Sequence, residues 1–184
     1  MSKPGRDEAV WYVVRVHNKT LDKVMKRLDE LSVRTFLPMC MDVTMENGKR
    51  VKKPVPALKD FIFIHSSVME ITRLIESECI PLSFYYSHYS HVQHDALWVG
   101  EREMDEFMRA VSAYDRRPHV HPCGEASLRK GLRVRVLSGP LAGLEGDYLQ
   151  LKRGQKKRLV LTLADLVVVD LVLAPEDLIE ILHS

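Results

Sequence analysis

The chain has 184 residues, of which 46% are hydrophobic and 28% are charged, and its 27 basic and 25 acidic side chains give a formal net charge of +2. These ordinary values exclude a wholly disordered, collagen-like or coiled-coil protein, and the length suits one large domain or two small ones. The charges are unevenly distributed, because residues 129–158 carry nine basic and two acidic side chains. This segment therefore either forms a basic face or is balanced by acidic segments once the chain folds.

The cysteines and the apolar segments indicate the compartment. Cys40, Cys79 and Cys123 are odd in number and have no paired spacing. The N-terminus lacks the apolar core of a signal peptide, and the apolar stretch 161–174 contains two aspartates and is shorter than the roughly 20 residues of a membrane helix. We therefore expect a cytoplasmic protein with reduced thiols and no membrane partner.

The first half of the chain alternates predicted strands and helices. Residues 10–16 are β-branched and aromatic and predict a buried strand, and Thr20 then offers an N-cap to a helical apolar stripe. Asn47-Gly48 predicts a tight hairpin turn, because both turn positions need positive φ. Further elements are predicted at 34–45 (extended), 61–64 (strand), 68–77 (helix), 82–90 and 96–99 (extended) and 100–112 (helix). This order predicts an α+β fold, with a ferredoxin-like split βαβ domain over residues 1–113.

The second half begins after a segment with the composition of a linker. Residues 114–126 have no apolar period and contain two prolines and a glycine. Beyond them the hydrophobic period is two, as where Val134 and Val136 alternate with arginines. Strands are predicted at 132–137, 145–151, 157–163, 166–173 and 178–182. Five short strands in so short a segment predict a small curled β-barrel over residues 127–184.

Residues 130–146 resemble a KOW motif, in which a glycine precedes a strand, a Gly-Pro turn follows and two further glycines stand three apart. The motif positions are Gly131, Gly139, Pro140, Gly143 and Gly146. A glycine can adopt positive φ and the following proline restricts its own φ, so this sequence suits a sharp turn between strands. The resemblance implies that the predicted barrel is a KOW domain, which is SH3-like and five-stranded.

The first half resembles the N-terminal domain of the NusG family. The matching segments are Trp11-Tyr12-Val13-Val14, Thr35-Phe36-Leu37-Pro38-Met39, Gly48-Lys49-Arg50 and residues 58–64. Leu82-Ser83-Phe84-Tyr85-Tyr86-Ser87-His88 is most similar to the UpxY type of this family. The resemblance covers about residues 10–184. It implies a non-enzymatic, cofactor-free elongation and antitermination factor for operons such as the capsular polysaccharide loci of Bacteroides-like bacteria.

Two segments depart from the family pattern. Leu58-Lys59-Asp60-Phe61 lacks the proline that usually precedes the central strand, although the aromatic residue is kept. Residues 163–170 lack the segment that borders the contacts of housekeeping NusG with Rho and a ribosomal protein. The resemblance therefore does not extend to these two partners.

The resemblance implies a binding patch for a coiled coil of the RNA polymerase largest subunit. Carried over by position, the patch consists of Arg15, Leu58, Phe61, Phe63 and Tyr86. The two phenylalanines stand two apart on a predicted strand, so they project from one sheet face. From the residues alone, ordinary core residues are the favoured interpretation, because most aromatic residues in strands belong to the core, and only the resemblance favours the patch.

Two segments are candidates for nucleic-acid contact. The resemblance aligns Thr72 and Arg73 with a contact to the non-template DNA strand, and the alternative is an ordinary solvated helix charge. A predicted hairpin turn in the second half carries five basic side chains that suit RNA phosphates, or else only keep the turn soluble. These are Lys152, Arg153, Lys156, Lys157 and Arg158.

Two alternatives of other classes are weighed against a polymerase-binding factor, which we expect to be a monomer. One is an RNA- or ribosome-binding module that does not contact polymerase. The other is a metalloenzyme, because His119, His121 and Cys123 alternate and three histidines at 88, 91 and 94 repeat every three residues. The first set lies in the predicted linker without an obvious fourth ligand, so we expect no metal.

Overall fold

The computed structural model describes residues 3–17, 19–46, 48–58, 60–86, 95–113, 119–122, 131–149, 157–164 and 166–182. The elements up to the third helix are β1 Val10–Val16, α1 Leu21–Glu30, β2 Arg34–Phe36, β3 Met39–Glu46, β4 Lys49–Pro56, β5 Phe61–Ser66, α2 Val68–Glu76, β6 Leu82–Phe84, β7 Trp98–Val99 and α3 Glu101–Ser112. The remaining strands are β8 His119–Pro122, β9 Leu132–Val136, β10 Glu145–Leu149, β11 Arg158–Leu163, β12 Val167–Val172 and β13 Ile179–Ile181. The predicted α+β class is therefore confirmed.

The chain divides into two compact units. The first unit comprises Met1–Leu37 and Leu58–Glu101, and the second comprises Pro38–Ala57 and Arg102–Ser184. The boundaries predicted from the sequence, a first domain at 1–113, a linker at 114–126 and a second domain at 127–184, stay a prediction.

The first unit contains an antiparallel sheet in the order β2-β5-β1-β6, with β7 also paired to β1. The alternate residues Tyr12 and Val14 of β1 belong to one apolar core, to which both α1 and α2 contribute buried side chains. Both helices therefore cover the same face of the sheet, which agrees with the predicted split βαβ arrangement. Neither α1 nor α2 covers the opposite face of β1 and β5.

The helix starts differ from the prediction in one detail. Thr20 stands at the N-cap of α1, but its hydroxyl donates to the carbonyl of His17 at 2.7 Å and caps no helix amide. The predicted side-chain cap is therefore wrong, because the hydroxyl is already used in the preceding turn. At α2, by contrast, the hydroxyl of Ser67 accepts a hydrogen bond from the amide of Glu70.

The second unit contains the predicted hairpin. β3 and β4 pair from Met39 opposite Pro56 to Glu46 opposite Lys49, and Gly48 lies between the two strands. Gly48 has φ of +76°, the backbone conformation for which glycine was expected there.

A second antiparallel sheet has six strands in the order β13-β9-β10-β11-β12-β8. Val134 and Val136 are buried as their alternation with arginines predicts. The small five-stranded barrel predicted for residues 127–184 stays a prediction, since the pairings among the described residues form a path of six strands and show no closure. The additional strand is β8, which lies inside the predicted linker. It pairs with β12 and buries Val120, a single apolar residue without a local period.

Helix α3 contacts turns of this second sheet within the same unit. The carboxylate of Glu103 accepts a hydrogen bond from the amide of Ala164 at 3.2 Å, and Arg109 donates to the carbonyl of Ala142. In the described part of the chain, no helix is long and apolar enough to cross a membrane.

Candidate binding surfaces

The pairing of β1 with β5 assembles three residues of the predicted polymerase patch. Arg15 lies opposite Phe61 and Val13 lies opposite Phe63, so these side chains project from the same face of the sheet. This is the face turned away from α1 and α2, because Tyr12 and Val14 point to the helices.

The patch residues differ in their accessibility. Phe63 is 0% exposed and Leu58 is 4% exposed, whereas Phe61 is half-buried and Arg15 is exposed. Phe63 also packs against Phe36, with ring centroids 6.4 Å apart. In this conformation, a partner that approaches from solvent therefore reaches Arg15 and Phe61 but not the other two side chains.

Tyr86 lies on the other side of the sheet from Phe61. The ring that contacts Phe61 belongs to Tyr85, in an edge-to-face arrangement with centroids 5.1 Å apart. The alternation of side chains along a strand could have predicted this contact. Ser83 pairs with Arg15, and Tyr85, two residues later, projects from the same face of the sheet. Tyr86 instead bridges to Ala96 and lines a cavity on the helix side.

The arginine predicted to contact DNA lies in an ion-pair network. Arg73 donates three hydrogen bonds to the carboxylate of Glu70, at 2.6, 3.1 and 3.2 Å, and a fourth to Glu78 at 3.2 Å. Arg27 of α1 also donates to Glu78, at 2.8 Å. The hydrogen bonds from Arg73 lower the pKa of the Glu70 carboxyl and raise the pKa of Arg73 itself. A DNA phosphate at Arg73 must therefore compete with two carboxylates.

Thr72 and Arg73 are neighbours in sequence but have different surroundings. The hydroxyl of Thr72 donates to the carbonyl of Val68 at 2.8 Å, and its side chain lines the same cavity as Tyr86. Arg73 does not line that cavity and instead forms an ion pair with Glu78. The two residues are therefore separate candidate contacts.

Two glycines shape the turn that was predicted from the KOW resemblance. Gly139 and Gly143 have φ of +75° and +85°. The amide of Gly143 donates to the carbonyl of Val136 at 2.7 Å, which closes the turn onto β9. Leu141 and Leu144 within the turn are fully buried, so the turn is packed rather than loose.

The other two motif glycines leave room for backbone. A Cβ atom at Gly131 would lie 2.2 Å from the carbonyl oxygen of Tyr148, and one at Gly146 would lie 2.6 Å from that of Val160. Real Cβ atoms do not approach backbone oxygens this closely. Both positions therefore require glycine for the packing of adjacent strands.

The basic hairpin of the second unit is only partly described. Lys152, Arg153 and Lys156 lie outside the described residues, and Lys157 is exposed. Arg158 forms an ion pair with Asp170 on the adjacent strand. The charge of Arg158 is therefore balanced within the sheet.

Cation-binding side chains do not cluster within the described ranges. No group of three or more His, Cys, Asp or Glu residues suited to a metal ion occurs there. Four residues of the candidate ligand sets, His88, His91, His94 and Cys123, lie outside these ranges. Cys40 and Cys79 are free thiols.

The fold and these surfaces define an α+β protein with an aromatic patch on its first sheet and a Gly-Pro turn in its second. The family model described as "NusG: Transcription termination factor nusG" matches residues 9–108, more than half of the 184 residues, and the chain belongs to the NusG family. This family consists of non-enzymatic transcription factors that interact with RNA polymerase.

Comparisons with individual proteins add little to the family assignment. The solved structure described as "Domain interaction in Thermotoga maritima NusG" is similar to this chain with a TM-score of 0.44 and 14% sequence identity. The similarity covers 96% of this chain and 98% of that chain. No curated protein matches the chain.

Proposed function

We propose that this protein is an elongation and antitermination factor that binds the largest subunit of RNA polymerase through the outer face of β1 and β5. The observation that carries the proposal is the pairing of exposed Arg15 with half-buried Phe61 on this face, in a chain of the NusG family. Arginine and aromatic residues, phenylalanine included, are enriched at protein–protein interfaces. Binding takes place in the cytoplasm, where transcription occurs.

The proposed mechanism is a shift of a conformational equilibrium of polymerase. A bound factor favours the elongating over the paused state only to the extent that it binds the first more tightly. The similarity of residues 82–88 to the UpxY type supports action at specific operons, such as capsular polysaccharide loci.

We further propose that residues 127–184 form the SH3-like KOW domain and that it recruits a second partner. The tight turn with its two positive-φ glycines supports this assignment. The basic segment 152–158 favours RNA over Rho or a ribosomal protein as that partner. Thr72 is retained as a contact to the non-template strand, whereas Arg73 contributes after its carboxylate partners are displaced.

Polymerase affinity of charge-reversal variants tests the proposal. Arg15→Glu places a carboxylate beside Phe61, and we expect it to weaken binding about tenfold or more, which corresponds to about 1.4 kcal/mol. Lys26→Glu is the matched control, because Lys26 is an exposed cation on α1, away from the patch. Affinity is measured by biolayer interferometry on immobilised core polymerase.

Equal affinities of the two folded variants would contradict the patch. A second outcome is that the unaltered chain and both variants bind RNA but none of them binds polymerase. This outcome would favour the alternative of an RNA- or ribosome-binding module that does not contact polymerase.

A further inference from the structure

Residues 3–8, which precede β1, form an ordered segment that we call the strap. Residues 5–8 make a turn, because the amide of Glu8 donates to the carbonyl of Gly5 at 3.1 Å. The amide of Gly5 also donates to the carboxylate of Glu8, at 2.9 Å. The strap therefore has hydrogen bonds of its own besides its contacts with the rest of the first unit.

The strap is attached to the first unit at two points. The carbonyl of Arg6 accepts a hydrogen bond at 3.4 Å from the amide of Met69, in the first turn of α2. The first amides of a helix have no acceptor within the helix, so the strap supplies one. Lys3 forms an ion pair with Asp95. The strap thus connects the start of α2 with the segment just before β7.

Between these two points the strap borders a cavity of about 340 Å³ on the helix side of the first sheet. Lys3, Pro4 and Arg6 line this cavity. Thr72 also lines it, and stands one helical turn after Met69. The strap is therefore part of the rim of the cavity that contains Thr72.

The end of the strap lies close to another residue of the cavity lining, Tyr12. Burial, and secondly the charge of Glu8, raises the pKa of Tyr12 above its ordinary value of 10.0. The influence of Glu8 on this ring indicates that the strap follows the cavity along its whole length, from Lys3 to Glu8.

Both attachments of the strap are weak enough to be reversible. The side chains of Lys3 and Asp95 are 61% and 40% exposed, and exposed ion pairs contribute little to stability. The hydrogen bond to Arg6 is longer than most bonds of its kind. Segments with few buried contacts can open locally while the rest of a protein stays folded. The strap therefore has a closed state from which it opens at low cost.

We propose that the strap closes the cavity in the free protein and opens to admit DNA to Thr72, with the ion pair of Lys3 and Asp95 holding it closed. A nucleic-acid strand extends beyond a cavity of this size, so it reaches Thr72 only when the strap has moved aside. The apparent affinity for DNA is then lowered in proportion to the fraction of open molecules. The inference rests on the DNA contact proposed at Thr72 and adds to it a control within the same chain.

Two double variants with the net charge of the unaltered chain isolate the ion pair from general electrostatics. The neutral variant, Lys3→Gln with Asp95→Asn, removes the pair. The exchanged variant, Lys3→Asp with Asp95→Lys, restores it in the opposite direction. Because the net charge is the same in all three proteins, differences in DNA affinity do not come from the total charge that attracts phosphates.

Hydrogen exchange followed by NMR reports the position of the strap without DNA. The amide of Met69 loses its acceptor when the strap opens, so we expect its protection to fall by up to about fivefold in the neutral variant, the most that an exposed ion pair accounts for. The amide of Glu70 is the internal control, because its acceptor is the hydroxyl of Ser67. The exchanged variant should protect both amides as the unaltered chain does.

Fluorescence anisotropy of the labelled single-stranded oligonucleotide dT12 measures DNA binding by the full chain. We expect the neutral variant to bind dT12 up to about fivefold more tightly than the unaltered chain, because more of its molecules are open. The exchanged variant should bind with the affinity of the unaltered chain.

Two results would overturn the strap alone. Equal protection of Met69 in the neutral variant and the unaltered chain would show that the ion pair does not hold the strap. Equal affinities of these two proteins for dT12 would show that the strap does not control the DNA contact. If none of the three proteins bound dT12, the DNA contact proposed at Thr72 would be wrong, and the role of the strap with it. Because neither measurement contains polymerase, the proposed polymerase contact would still stand.

Discussion

Gly131 and Gly146 face backbone where any other residue would place a side chain. The carbonyl oxygens of Tyr148 and Val160 occupy that space at 2.2 and 2.6 Å. Because these oxygens belong to strands of the second sheet, neither can move without breaking the ladder. At the same scale, Phe63 and Phe61 show that two residues of one strand face can differ in accessibility, since only the first is completely buried.

Gly146→Ala should destabilise the second unit by about 1–3 kcal/mol, as overpacking of a tight contact does. The control is Gly5→Ala, whose new Cβ meets no atom closer than 3.9 Å. Thermal unfolding by circular dichroism and hydrogen exchange of β10 and β11 amides measure the effect. Unchanged protection of these amides in Gly146→Ala would show that the sheet accommodates the methyl group.

Phe63→Ala should lower the free energy of unfolding of the first unit by about 3–5 kcal/mol, because it empties a fully buried aromatic position. Phe61→Ala should lower the free energy of unfolding by a smaller amount, since Phe61 is only half-buried. Urea unfolding followed by tryptophan fluorescence compares the two. If the costs were equal, Phe61 would be as much a core residue as Phe63, and its role in binding would have to be reconsidered.

At the scale of elements, α1 and α2 are joined by charges as well as by their apolar faces. Glu78, just after α2, accepts hydrogen bonds from Arg27 of α1 and from Arg73 of α2. Glu70 completes the network on α2. Each pair is solvent-exposed, so it contributes little to stability alone, and its functional effect is to occupy Arg73.

The network predicts a pH dependence. Arg73 lowers the pKa of Glu70 below its ordinary value of 4.5 in the folded chain, so this ion pair stabilises α2 above that value. The stabilisation is lost as the pH falls through the lowered pKa. Arg73→Gln should raise the pKa of Glu70 in an NMR titration, whereas Arg102→Gln, which removes the partner of Glu106 on α3, should leave it unchanged. An unmoved Glu70 pKa in Arg73→Gln would contradict the ion pair.

At the scale of the whole molecule, the residues proposed for the activity lie in both units. The first unit carries the patch of Arg15 and Phe61, and the second carries the turn with two positive-φ glycines. In the proposed function, the polymerase contact lies on the sheet face turned away from α1 and α2, whereas the DNA contact proposed at Thr72 lies on α2.

Transcription in vitro through an intrinsic terminator tests this activity. We expect the full chain to increase readthrough, and Arg15→Glu to lose the increase while Lys26→Glu retains it. At a protein concentration equal to the Kd, a tenfold weaker affinity lowers occupancy from one half to about one tenth. If Arg15→Glu gave the same readthrough as the unaltered chain at this concentration, the result would contradict antitermination through the patch.

Local patterns in the sequence predicted much of this fold because they depend on neighbours along the chain. The β-branched run at 10–16, the helical stripe from Leu21 and the hairpin of β3 and β4 each became the expected element. Gly139 also has the positive φ that was predicted for it, since a turn with Gly-Pro is a property of a few adjacent residues.

Contacts between distant residues were decided only by the tertiary structure. β8 forms because β12, about 50 residues later, supplies its hydrogen bonds, and Tyr85 rather than Tyr86 meets Phe61 because of the register with β1. The sequence by itself thus determined most of the elements, the family resemblance and which residue types were available for binding. The tertiary structure decided which side chains share a face, which are buried and which charges are already paired, because burial and pairing depend on partners that periodicity does not specify.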